Sequence, residues 1–308
     1  MWVTAILIIV GVLIAAALVF WLVGERGHPM RRSTWRGLRA QGLRNLLNFK
    51  ALHQYIYGRW TNQYIKYYLG WLFRHMNPRR AKRLMDHYHG KVLTHDHAEA
   101  IVNLDHDIPL RDLEQIVPYA TARDLVLSAS PDIAVLECCC RHARAEPCQP
   151  TQVCMAVGQP FVDFLLEHRP HDSRRLTQAE ALELLDQEHE RGHVHSAFFK
   201  DVMLNRFYAI CNCCKCCCGS IEATVRQGVP MMTSSGYVAE LNSELCKGCG
   251  VCVDACPFDA LSKGDKCAVL NWDKCMGCGV CVDRCRQSAL ALARDEKKGV
   301  PLDVRAMS

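Results

Sequence analysis

The sequence contains no G-x-G-x-x-G turn, no G-x-x-x-x-G-K-[ST] run and no C-x-x-C-H element. It therefore carries no signature of a dinucleotide fold, a P-loop or a covalently attached haem. Glycine (19) and proline (12) are ordinary for 308 residues, and half the chain is apolar. Collagen-like repetition and intrinsic disorder are excluded on composition. Acid is scarce over residues 25–91, where Glu25 and Asp86 face 15 Lys and Arg. Such a basic stretch can bind nucleic acid, but the apolar run next to it argues for a membrane surface instead.

That run, Trp2 to Val23, is interrupted only by Thr4 and Gly11. At about 1.5 Å per residue it is long enough to cross a hydrocarbon core of about 30 Å. No basic segment precedes it, and it exceeds the core of a cleaved signal peptide, so a retained single-pass anchor is expected. Arg26, Arg31, Arg32, Arg36 and Arg39 follow it. By the positive-inside rule they place the remainder on the cytoplasmic side of the cytoplasmic membrane. A reducing compartment turns the 20 cysteines from disulfide candidates into metal ligands.

The expected fold class is α+β, in five segments. Residues 1–24 form the transmembrane anchor, and 25–91 a basic, aromatic-rich juxtamembrane helical segment. Residues 92–236 form a mixed α/β cysteine-rich domain, 237–294 a duplicated C-terminal domain, and 295–308 a charged, mobile tail. The aromatics of 44–76 (Phe49, Tyr55, Tyr57, Trp60, Tyr64, Tyr67, Tyr68, Trp71, Phe73) alternate with Lys50, Arg59, Lys66 and Arg74. This composition suits a helix at the headgroup level or one packed on a partner subunit. Leu110, Leu113, Ile116 and Val117 have helical spacing, and Ile133 to Leu136 reads as a buried strand leading into Cys138. Thr177-Gln-Ala-Glu180 is a capping box that predicts a helix running to about Gly192.

Two copies of one motif stand 29 residues apart. The first is Cys246-Lys-Gly-Cys249-Gly-Val-Cys252-Val-Asp-Ala-Cys256-Pro257 and the second Cys275-Met-Gly-Cys278-Gly-Val-Cys281-Val-Asp-Arg-Cys285. Thiolates at C-x-x-C-x-x-C spacing wrap three corners of an iron–sulfur cube, and a fourth cysteine completes it. Zinc is the competing metal, but the duplicated triple run favours two [4Fe-4S] clusters. Over about 55 residues this region resembles the bacterial two-cluster ferredoxins. The resemblance implies that the fourth cysteine of each run serves the other cluster. One cluster would then take Cys246, Cys249, Cys252 and Cys285, and the other Cys275, Cys278, Cys281 and Cys256. Arg286 stands where that pattern has proline, and Cys267 falls outside it.

Eleven further cysteines lie upstream: Cys138, Cys139, Cys140, Cys148, Cys154, Cys211, Cys213, Cys214, Cys216, Cys217 and Cys218. Six within eight residues are not a core-packing pattern, because neighbouring side chains point in different directions. They are candidate ligands of one or two additional iron–sulfur clusters, with no spacing that assigns them individually. Cys217-Cys218-Gly219 is similar to the CCG element of heterodisulfide reductases. The stretch 95–290 resembles ferredoxin-domain proteins of anaerobes that share a Cys-Asn-Cys-Cys-x-Cys-Cys-Cys segment.

His189-Glu190-Arg191-Gly192-His193 matches H-E-x-x-H, but Gly192 stands where the helix should end, so the metalloprotease reading is set aside. His87, His89, His95, His97 and His106, with Asp86, Asp96, Asp105 and Asp107, read as a polar surface rather than a metal site. The sequence as a whole points to a membrane-anchored electron carrier in a redox complex. Its expected partners are the bilayer, redox subunits or soluble carriers and a quinone, with no nucleic acid. A reductase whose central cluster reacts with a disulfide or sulfur substrate is the alternative.

Overall fold

The computed structural model describes residues 2–42, 49–67 and 75–307. Helix α1 (Trp2–Gly24) has 23 residues, about 34 Å at about 1.5 Å each. Its Ile and Leu side chains, with Val10, Val12, Val19 and Val23, are exposed, and it is long and apolar enough to cross a membrane. Where it ends, the chain is clamped to the globular part. Glu25 is fully buried and accepts the Thr34 hydroxyl at 2.8 Å. The Gly24 carbonyl accepts Arg59 Nε at 2.9 Å and His168 Nδ1 at 3.2 Å.

Helices α2 (Arg32–Gln41), α3 (Lys50–Arg59), α4 (Thr61–Tyr67) and α5 (Pro78–Met85) follow. The aromatics of α3 do not lie outward at a headgroup layer. Tyr55 and Tyr57 are buried, Tyr55 edge-on to Phe164 and His168 and Tyr57 bonded to the Tyr208 hydroxyl at 2.6 Å. The sheet behind them offers an apolar wall, which gives more burial than a lipid interface would. Phe49 and Tyr67 do remain exposed. Arg44, Tyr68, Trp71, Phe73 and Arg74 lie outside the described residues.

A seven-stranded sheet forms the centre, built from β1 (Tyr88–Val92), β4 (Ile133–Glu137), β5 (Gln152–Val157), β6 (Ser173–Leu176), β7 (Val194–Lys200), β8 (Arg206–Cys213) and β9 (Met232–Thr233). The order is β6-β4-β5-β8-β7-β1-β9. All neighbours run antiparallel except β1 and β9. The sheet thus takes a strand, beginning at Tyr88, from the end of the segment read as juxtamembrane. Every residue of β7 is buried, as befits a central strand covered on both faces.

Around the sheet lie α6 (His95–Val102), α7 (Cys139–His142), α8 (Phe161–His168), α9 (Gln178–Glu190) and α10 (Gly219–Arg226). Helix α9 starts on the expected capping box, with Thr177 and Glu180 bonding reciprocally. The helix anticipated around Leu113 to Val117 is reduced to turns in the loop between two short paired strands, β2 (Ile108–Leu110) and β3 (Leu125–Leu127). Asp112 adopts φ +60° and its amide bonds the Asp124 carboxylate at 3.0 Å, which stops a helix before it can form.

The C-terminal part pairs β10 (Tyr237–Leu241) with β13 (Leu290–Arg294), and β11 (Leu261–Lys263) with β12 (Ala268–Leu270). Two short helices, α11 (Val251–Ala255) and α12 (Val280–Asp283), repeat the duplication. The tail expected to be mobile is packed. Leu302 and Val304 are buried, and Arg305 bridges Asp303 and Asp96, the latter at 3.1 Å.

Candidate metal centres

Each copy of the C-terminal motif runs from a glycine-bent loop into one short helix, so its first three cysteines curl around a common point. Gly248 and Gly277 sit at φ +64° and +63°. A Cβ there would lie 2.8 Å from the Lys266 carbonyl and 2.2 Å from the Tyr237 carbonyl, so both positions need glycine. Cys246, Cys249, Cys252 and Cys285 line one cavity. Cys256, Cys275, Cys278 and Cys281 line a second. The crossing of the fourth cysteine arises because α11 and α12 pack on each other. Cys267, on the turn between β11 and β12, also borders the first cavity, and Arg286 is exposed.

Backbone amides point at sulfur. Ala260 N lies 3.3 Å from Cys256 Sγ, Ala289 N 3.3 Å from Cys285 Sγ, and Ala239 N 3.5 Å from Cys275 Sγ. The two sets differ in exposure. Cys249 is exposed and Cys246 half-buried, whereas Cys256, Cys275 and Cys281 are buried. Amides of Gly248 and Ala268 hold the Cys246 thiol below the usual range. Burial, then the neighbouring Cys256 and Cys275, push Cys281 up to about 12. A buried thiolate at Cys281 would need a compensating positive charge, and the irons of a cluster are such a charge. The donor set fits the group.

The sheet order explains how the middle cysteines meet. Strands β4, β5 and β8 are neighbours, which brings Cys138 at the end of β4, Cys154 in β5, and Cys211 and Cys213 in β8 to one end of the sheet. Cys138 and Cys154 pack together with Cys140 and Cys211 against them, and electrostatic interactions link Cys139 to Cys138, Cys140 and Cys211, and Cys218 to Cys213. These seven form an inner set. The neighbouring Cys140 thiol, together with burial, pushes Cys138 up to about 11. The other four form an outer set. Cys148, Cys214 and Cys216 offer sulfurs within 4.8 Å of one another, and Cys217 Sγ lies 3.5 Å from Cys216 Sγ and accepts the Cys148 amide at 3.4 Å. Adjacent Cys213 and Cys214 thus serve different sets, as side chains alternate at a strand end.

Two arginines hold these loops. Arg141 is fully buried, 3.0 Å from Glu188, which also bonds His193 Nδ1 at 2.6 Å. Arg144 donates to the Cys217 carbonyl at 3.1 and 3.0 Å and pairs with Glu222. Sequence reasoning missed both, although their place directly after the cysteine triplet was a usable signal. Against the inner set lies a mainly apolar cavity of about 80 Å³, bordered by Cys139, Cys154, Cys211, Tyr57, Phe161 and Tyr208. The outer set faces the C-terminal part, where Lys215, between Cys214 and Cys216, pairs with Asp259 at 3.1 Å. Asp259 lies three residues beyond Cys256.

The H-E-x-x-H match does not build a protease site. Helix α9 ends at Glu190, His193 bonds Glu188, and His189 turns to Asp283 at 3.2 Å. Of the other histidines, His87 lies 3.2 Å from Asp201, His89 bonds the Met85 carbonyl, His97 lies near Asp303 and His106 meets the Met307 carbonyl.

No protein of established function matches the chain. The 4Fe-4S binding domain family matches twice, over residues 239–262 and 268–291. The C-terminal region is therefore a ferredoxin-like dicluster domain with two 4Fe-4S binding motifs.

Proposed function

We propose that the protein is a membrane-anchored electron-transfer subunit of a redox complex, with α1 in the bilayer and the metal domains on the cytoplasmic side. Cys246, Cys249, Cys252 and Cys285 would hold one [4Fe-4S] cluster, and Cys256, Cys275, Cys278 and Cys281 the other. The outer set Cys148, Cys214, Cys216 and Cys217 would hold a third, and the inner set a fourth. Iron–sulfur clusters, when bound, supply one-electron transfer. The protein's part is to space, bury and hydrogen-bond them.

The observation that carries this reading is the ordering of the thiol groups. The most exposed set lies in the dicluster domain, the buried set follows, and the Lys215–Asp259 pair joins that set's loop to the outer central thiols. The inner thiols then border the cavity beneath α2 and α3, beside the end of α1. Soluble carriers would exchange electrons at the exposed end. An integral subunit or an apolar quinone from the bilayer suits the other.

The same cavity favours a second reading, a reductase acting on a small disulfide or sulfur compound. A mainly apolar pocket touching three cysteines provides room for a substrate that a pure relay does not need. Freeze-quench EPR separates the readings. A low-potential soluble donor should reduce the C-terminal signals first and the central signal after them. In a Cys278→Ser/Cys281→Ser variant the central signal should be delayed at least about tenfold, a barrier change of about 1.4 kcal/mol. Undelayed central reduction in that variant would contradict the relay. A central signal that shifts on adding a small disulfide would favour the reductase.

A further inference from the structure

The structure brings together three histidines that no cysteine motif includes. His95 opens α6, His189 lies in the last turn of α9, and His195 is in β7. One ring nitrogen of each lies within 4.8 Å of the others, and His95 Nδ1 is 3.2 Å from His195 Nε2. Sequence separation of about one hundred residues between His95 and the other two hides the group from any linear motif.

Each ring is oriented by an oxygen behind it. Asn212 donates its amide to the Val153 carbonyl at 2.8 Å, which assigns its side-chain oxygen as the acceptor facing His195 Nδ1 at 2.7 Å. His195 therefore carries its proton on Nδ1 and aims a bare Nε2 lone pair at His95. His95 Nε2 is 3.1 Å from the Asp186 carboxylate, leaving Nδ1 for the shared space. His189 Nε2 is 3.2 Å from Asp283. A ring nitrogen tied to a carboxylate or amide oxygen, with the other free, is how proteins prepare imidazole as a metal ligand. Facing unprotonated nitrogens repel unless a proton or cation lies between them. The surroundings favour a cation: Asp186, Asp283 and Glu99 ring the group, and His189 sits at a helix C-terminus. His195 is buried, while His95 and Asp186 are partly exposed, so an ion has an entry path.

We infer that His95, His189 and His195 bind one divalent first-row transition ion of the zinc class, with water or a nearby carboxylate completing the shell. Three imidazoles suit zinc in tetrahedral geometry. The ion would join α6, α9 and β7. Through Asp283, two residues beyond Cys281, it would also brace the dicluster domain against the sheet.

The test uses full-length protein in detergent, its iron–sulfur clusters loaded, equilibrated with zinc sulfate and desalted. Metal analysis should find about one zinc per chain beyond the iron, with a nitrogen and oxygen shell by zinc-edge X-ray absorption. His95→Ala, at a half-exposed position, should lose that zinc with its iron content unchanged. Asp186→Asn should weaken zinc binding by about 10–100-fold, as losing a carboxylate behind a ligating imidazole does. Rings that merely stack would leave zinc binding unaltered in both variants. No retained zinc, equal zinc in wild type and His95→Ala, or a sulfur-containing shell would each overturn the assignment.

Discussion

At the scale of single residues, the cavities in the dicluster domain depend on backbone that a side chain would obstruct. Gly277→Ala places a methyl 2.2 Å from the Tyr237 carbonyl at φ +63°, so it should destabilise the domain by about 1–3 kcal/mol. Thermal unfolding should show the loss, and iron should leave the Cys275 side first. Lys200 offers a different test. It is buried beneath Tyr57, Tyr64 and Tyr88, and burial lowers it from 10.5 to about 8. The unfolded chain binds that proton more readily between about pH 8 and 10.5, so stability from this group should fall as pH drops through that window. Melting temperature should therefore rise from pH 8 to 9.5 in wild type, and rise less in Lys200→Met. An identical slope in the two proteins would place the proton elsewhere.

At the scale of elements, the seven inner and four outer thiols are separated by strand geometry, and each loop has its own tether. Arg144 holds the outer loop through the Cys217 carbonyl and Glu222. Arg144→Ala should cost about 1.5–3 kcal/mol, the range for hydrogen bonds to a charged group. Its effect on EPR should be confined to the central signal. A change in the C-terminal signals instead would mean the two parts do not bind metal separately.

The same scale shows what the sequence made legible. The duplicated cysteine run, the capping box at Thr177 and the strand entering Cys138 were readable because their signals are local. The inner and outer sets were not, because they depend on β4, β5 and β8 being neighbours although far apart in the chain. Tyr55 and Tyr57 misled for a related reason. Their composition suits a lipid interface, and only tertiary packing against Phe164 and Tyr208 reveals that they face inward. The terminal residues misled too, since Leu302 and Val304 among them are buried and Arg305 pairs with Asp96.

At the scale of the whole molecule, a bare apolar helix is tied at its end to a cysteine-rich domain. The helix should carry the protein to membranes. Full-length protein should float with lipid vesicles, and a chain lacking residues 1–24 should stay in solution at moderate salt. Flotation of the shortened chain would shift the attachment to the basic residues that follow.

The central claim is that the middle cysteines bind iron in addition to the dicluster pair. Iron and acid-labile sulfide per chain, measured on anaerobically purified protein, test it most directly. At four iron per cubane, four clusters predict about sixteen iron and as much sulfide, falling by about four when Cys148, Cys214, Cys216 and Cys217 are all changed to serine. About eight iron in both proteins would contradict it and leave the dicluster domain as the whole of the metal chemistry.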